Sequence, residues 1–188
     1  MRIREIGIVG RLFFLLLAGG FCVAGTAAQS VDSSGKIPNH FGKVYLGMTM
    51  EQAKDALKND ANFNFKGDPD ISILHRPDEA LIECSGTFYI IRAVFQFYKN
   101  RLYTILLNLD SHEIDHYSMF TALSRKYGNP ETLSPQEAVW RSKEYTLSLE
   151  RPLSVKYIDN KVLETIRTAG KKAKTLQELS REQFVQQF

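Results

Sequence analysis

Phe88-Tyr89-Ile90-Ile91-Arg92-Ala93-Val94-Phe95-Gln96-Phe97-Tyr98, then Lys99-Asn100, then Arg101-Leu102-Tyr103-Thr104-Ile105-Leu106-Leu107-Asn108-Leu109: this stretch decides the fold class. Both runs are rich in β-branched and aromatic residues, and a two-residue Lys-Asn break separates them, which is the pattern of a β-hairpin. Phe95 and Phe97 share one face of the first strand. Tyr103, Ile105, Leu107 and Leu109 share one face of the second, with Leu102 and Leu106 opposite. A strand apolar on both sides belongs at a sheet centre or meets something on its second face.

Upstream, Val44-Tyr45-Leu46-Gly47-Met48-Thr49-Met50-Glu51-Gln52 leads into a helix. Thr49 and Gln52 form a capping-box pattern, and Met50, Ala53, Ala56 and Leu57 fall on one helical face. Residues 59–70 read as a loop with a turn at Lys66-Gly67-Asp68-Pro69. Short strands follow at Ile71–Leu74 and Ala80–Cys84, separated by His75–Asp78.

Downstream, Ser111 is positioned to cap a second helix carrying Ile114, Tyr117, Phe120, Ala122, Leu123 and Tyr127. Gly128 and Pro130 stop it. Glu137–Arg141, with the only tryptophan, Trp140, then Tyr145–Leu149 and Leu153–Ile158 read as three further strands. The fold class is therefore α+β, with two helix-plus-antiparallel-meander units, quasi-repeats at 41–110 and 111–158, and the helices on one side of the sheet. Residues 159–188 form a helical tail, basic at Gly170–Lys174, with a break expected at Gly170 and a weak stripe of Leu176, Leu179, Phe184 and Phe188.

The amino terminus addresses the compartment. Arg2, Arg4 and Arg11 precede an apolar run from Leu12 to Ala24, and small residues lead to Ala28. This is the pattern of a secretory signal peptide over residues 1–28, cleaved after Ala28, and it implies export to the periplasm. If the segment stays uncleaved, it is the chain's membrane contact. Cys22 lacks a lipobox, since Gly19 and Phe21 occupy its key positions. Residues 29–40 read as a flexible lead-in. Removing Arg2, Arg4, Arg11 and Glu5 from 24 basic and 21 acidic residues leaves 21 against 20. A balance so near neutrality gives no electrostatic footprint for nucleic acid. Cys84 then stands alone, so the core must be held by apolar burial, and Cys84 itself reads as a small buried hydrophobe.

Leu46-Gly47-Met48-Thr49 with its helix, and Lys126-Tyr127-Gly128-Asn129-Pro130 followed by Trp140 and a strand pair, carry a resemblance. Over residues 41–158 the chain resembles small exported bacterial domains of the SmpA/OmlA (BamE-like) type and the β-lactamase-inhibitor-protein-like domains. The resemblance implies a duplicated helix-plus-sheet fold and a non-enzymatic binding or assembly role with another envelope protein. It brings no catalytic residue and no cofactor.

His112-Glu113-Ile114-Asp115-His116 matches His-Glu-x-x-His in letters, which on a helix places two imidazoles on one face for zinc. A metal-dependent hydrolase using His112, Glu113 and His116, with His40, His75 or a carboxylate as third ligand, is the first alternative. A secreted ligand-binding factor is the second. The chain has no nucleophile elbow, phosphate loop or dinucleotide fingerprint. Phe63, Phe65, Tyr89 and Tyr103 are the aromatic candidates for gripping a peptide or glycan. The leading expectation is a binding or assembly adaptor that acts through an exposed apolar sheet face.

Overall fold

A computed structural model describes residues 36–73 and 78–187. The signal segment and its cleavage point, the first part of the lead-in, His75 and Phe188 lie outside the described residues. Two short strands, β1 (His40–Phe41) and β2 (Val44–Tyr45), form a hairpin ahead of helix α1 (Met50–Lys58). Then come β3 (Phe63–Asn64), a single 3-10 turn, β4 (Ile71–Ile73), β5 (Glu79–Gly86), β6 (Ile90–Tyr98) and β7 (Arg101–Leu109). Helix α2 (His116–Tyr127) leads to β8 (Thr132–Leu133), β9 (Glu137–Arg141), β10 (Tyr145–Glu150) and β11 (Ser154–Asp159). Helix α3 (Asn160–Val185) follows at once.

Strands β3 to β11 build one antiparallel sheet in the order β3-β5-β6-β7-β11-β10-β9-β8, with β4 also on β5. The two meanders meet through their last strands, β7 beside β11. That pairing puts β7 at the sheet centre and accounts for its apolar residues on both faces. The architecture is α+β, with three helices on a mostly antiparallel sheet among the described residues.

Two apolar rows cross six strands on one face. Ile82, Phe95, Ile105, Tyr157, Leu147 and Trp140 are successive cross-strand partners. So are Cys84, Ala93, Leu107, Val155, Leu149 and Ala138. All twelve are buried. Each large side chain removed from water there contributes about 1.5–3 kcal/mol before entropy is counted. Helix α1 seals this face with Ala53 and Leu57. Helix α2 contributes Met119, Phe120, Leu123 and Tyr127, with the Phe120 ring 6.2 Å from that of Trp140.

Several expectations are corrected. Tyr103 is an extra residue in β7, since Thr104 pairs with Gln96 but Leu102 with Phe97. The bulge breaks the alternation and turns Leu102 onto the core face, where it is fully buried. Phe88 and Tyr89 belong to the turn before β6 and not to the strand. Ile37, assigned to the flexible lead-in, is buried in the core, and Asn39 accepts from the Leu46 N–H at 2.7 Å. Helix α3 runs unbroken through Gly170. Glycine's cost at a single position, about 1 kcal/mol, is too small to interrupt a 26-residue helix.

The Leu46–Thr49 turn acts as a clasp. Gly47, in the left-handed region at φ 89°, donates its N–H to Leu102 and accepts from Arg101 Nη1. Leu102 N–H returns a bond to Met48, and Thr49 and Gln52 complete the expected capping box. The Leu46–Thr49 motif therefore fastens α1 to the β6–β7 hairpin.

Candidate functional site

The His-Glu-x-x-His spacing does not fall on one helix. Asp115 caps α2, accepting from the Ser118 N–H at 2.8 Å, so the helix starts at His116 and not after Ser111. Asp110 instead gathers the preceding residues, accepting the His112 N–H on its side chain and the Glu113 and Ile114 N–H groups on its carbonyl. His112 and Glu113 lie in that turn, and the helical i, i+4 relation between the two histidines is absent. His116 Nε2 is buried with no hydrogen-bond partner, and burial, then nearby Arg151, lowers its pKa. No group of three His, Cys, Asp or Glu side chains among the described residues converges as a metal site.

The second face of the sheet carries a polar groove. Helix α3 leaves the end of β11, and its first turns form one side of an open groove of about 500 Å³ over β9 and β10. Val139, Thr146, Ser148 and Ile158 form its floor, and Leu163 and Arg167 of α3 form part of one wall. The helix start is pinned there by Asn160. Its Oδ1 accepts from Thr146 Oγ1 at 2.7 Å, and its Nδ2 donates to the Ser142 carbonyl at 3.0 Å. Asp159 caps the same helix through the Val162 N–H. Deeper in, Glu150 accepts from Ser148 Oγ at 2.9 Å and from Lys156 Nζ at 2.6 Å. Buried Ser148 and Thr146 are therefore both satisfied, as low-dielectric surroundings require. Charges of both signs rim the opening, Arg141, Lys143 and Arg167 against Glu137 and Glu164. The arrangement can hold an extended polar segment by hydrogen bonds and paired charges.

Sequence reasoning missed this groove. Thr146, Ser148 and Asn160 carry no motif, and their meeting depends on where α3 crosses the sheet. The signal that was present is polar alternation in Tyr145–Glu150, which assigns Thr146, Ser148 and Glu150 to one face.

Exposed apolar residues cluster elsewhere, at the turn joining β5 to β6. Of the four aromatic candidates only Tyr89 is exposed. Phe63 and Tyr103 are buried, and Phe65 packs against the core. Phe88 is 81% exposed, Tyr89 54% and Ile91 58%. The turn is held firmly. Thr87 donates its hydroxyl to Ala61 and its N–H to Asn62, and Tyr89 accepts the Asp110 N–H at 2.9 Å. Phe88 sits in the left-handed region at φ 55°, a conformation that costs a bulky residue about 1–2 kcal/mol. Ile91 is the extra residue of a β-bulge. Cys84, behind this turn, is buried; that burial, then the Asp70 and Glu83 carboxylates, pushes its thiol up to about 12.

None of the three helices, among the described residues, is long and apolar enough to cross a membrane. No curated protein and no solved structure matches the chain. The TP0088 domain model matches residues 39–169, from β1 through both meanders into the first part of α3, so this chain belongs to the TP0088 domain family.

Proposed function

We propose that this chain is an exported, non-enzymatic envelope protein that binds or assembles a partner through the open face of its sheet. The observation that carries this reading is the polar groove beneath α3, built on the satisfied side chains of Thr146, Ser148 and Glu150. The groove is polar, so the recognition is by hydrogen bonds and paired charges, unlike the apolar sheet face expected from sequence. Export to the periplasm rests on the Arg2–Ala28 pattern. The likeness of Leu46–Thr49 and Lys126–Pro130 to assembly lipoproteins and inhibitor domains supports a binding role. A duplication is part of the same reading, supported by two helix-plus-meander units whose last strands pair.

The test is photo-crosslinking in the native host, with a photoreactive residue in place of Arg141 at the groove rim or Lys66 outside it. A discrete adduct from position 141 alone, lost when Glu164→Trp fills the groove from its exposed wall, supports the reading. Equal labelling at both positions, or none at 141, contradicts it.

A further inference from the structure

The turn at Phe88 and the Lys172–Leu179 stretch of α3 both expose large apolar side chains, and they match in chemistry. Three large apolar side chains, Phe88, Tyr89 and Ile91, project from a turn that is fastened down and strained. Fixed, exposed and strained apolar residues are what a contact surface requires and what stability alone disfavours. The surroundings are acidic. Asp110 is bonded to Tyr89 through the backbone, and Glu113 follows in the same turn. The nearest strand cation, Arg92, is spent on Glu83 at 2.7 Å.

Helix α3 supplies the complement. Lys172, Leu176 and Leu179 stand at i, i+4 and i+7 and share one face. Both leucines are exposed, at 65% and 50%. Arg167, Lys171 and Lys174, by contrast, share a groove with Asp78 and Glu79. Those two acids mark the start of β5, and the Phe88 turn lies past its other end, about 25 Å away. The helix thus passes the sheet at the far end of β5 from the turn, and the two surfaces stay apart within one chain.

We propose that the Phe88–Ile91 turn of one copy receives the Lys172–Leu176–Leu179 face of a second copy, in a head-to-tail contact. Charge selects this pairing. Turn against turn sets Asp110 and Glu113 against themselves, helix against helix sets Lys172 against Lys172, and an anionic lipid surface repels the acidic turn. Turn against helix alone places Lys172 among carboxylates while the apolar side chains cover one another. Head-to-tail contacts build rings or filaments, not closed two-fold dimers. The contact uses neither the groove nor its occupant.

Sedimentation equilibrium of the purified chain, from micromolar into millimolar concentration, tests it. The wild type should show an average mass that rises with concentration and falls with added salt. Glu113→Lys and Lys172→Glu should each remain monomeric, and an equal mixture of the two should associate again, because each then offers the other a matched pair. Phe88→Gly should abolish association while its Tm stays unchanged or rises, since glycine relieves the left-handed strain. A wild type that is monomeric throughout overturns the proposal. So does association that survives Phe88→Gly and Lys172→Glu. Binding to anionic vesicles that Lys172→Glu abolishes, without self-association, assigns the helix to lipid and also overturns it.

Discussion

The Met50 N–H donates to Asn100 Oδ1 at 3.0 Å, so the first turn of α1 is capped by a residue fifty positions away in the β6–β7 turn. Asn100 does two jobs. Its backbone takes the left-handed conformation at φ 58° that the two-residue hairpin needs, and its amide oxygen satisfies a helix-start donor. Asn100→Ala loses both and is expected to destabilise the chain by about 2 kcal/mol. Asn100→Gly keeps the turn, loses the cap and should cost about 1 kcal/mol. Urea unfolding separates the two values: an Asn100→Gly variant as stable as the wild type would show that the cap contributes nothing, and equal losses in the two variants would show that the left-handed turn does not.

Trp140 ties α2 to the second meander. Its indole Nε1–H donates to the Gly128 carbonyl at 2.8 Å, just past the helix end, while its ring lies 2% exposed among core side chains. Trp140→Phe removes the donor and part of the volume, and should cost about 2–3 kcal/mol. As the only tryptophan it reports on itself. Native emission should be blue-shifted and should move to the red in the same transition that circular dichroism records. Red emission from the native state would contradict its burial.

Asp60 predicts an acid-sensitive joint between the β1–β2 turn and the end of α1. Burial raises its pKa, but bonds from the Lys43 N–H, the Asn62 N–H and the Asn62 side chain outweigh that and leave it lowered. A carboxyl lowered in the folded state stabilises it fully above its unfolded value of about 3.9, and the contribution is lost as pH falls through the folded value. Stability should therefore decline as pH drops below about 4, and Asp60→Asn should flatten that slope. An unchanged slope in the variant would remove Asp60 as the cause. Gly42 faces the same carboxylate, and a Cβ there would fall 2.2 Å from Asp60 Oδ2, so Gly42→Ala should unsettle the same joint.

Cys84 should be inert in the folded chain. It is 4% exposed and its thiol is pushed up to about 12, so accessible thiolate is scarce at neutral pH. In a Cys22→Ser chain, a thiol-specific disulfide reagent should label Cys84 no faster than the protein opens, and rapidly in denaturant. Immediate labelling of the native chain would contradict its place between Ile82 and the β5–β6 turn.

What the sequence disclosed followed from local pattern. The Ile90–Leu109 hairpin, the Thr49–Gln52 capping box and the strand around Trp140 are all written in spacing and turn chemistry. Less local features were hidden. One extra residue at Tyr103 reverses the face of Leu102, and no composition rule marks a bulge. Ser111 and Asp115 are both good caps, and the choice fell to Asp115 because Asp110 had already drawn residues 112–114 into a turn. Ile37 is a single apolar residue in a polar run, with no periodicity to betray its burial. The groove was the least visible, because Thr146, Ser148 and Asn160 become a site only when α3 crosses the sheet.

The central claim is that the groove beneath α3 holds a partner, and its most direct test is the size of the chain's native assembly. Gentle envelope extracts of the host should be run on native gels in a Phe88→Gly background, where the self-contact is removed. The account predicts that the chain migrates within a larger complex, and that adding Glu164→Trp returns it to the free form. Migration as the free chain without Glu164→Trp, or a complex whose size Glu164→Trp leaves unchanged, would contradict the claim.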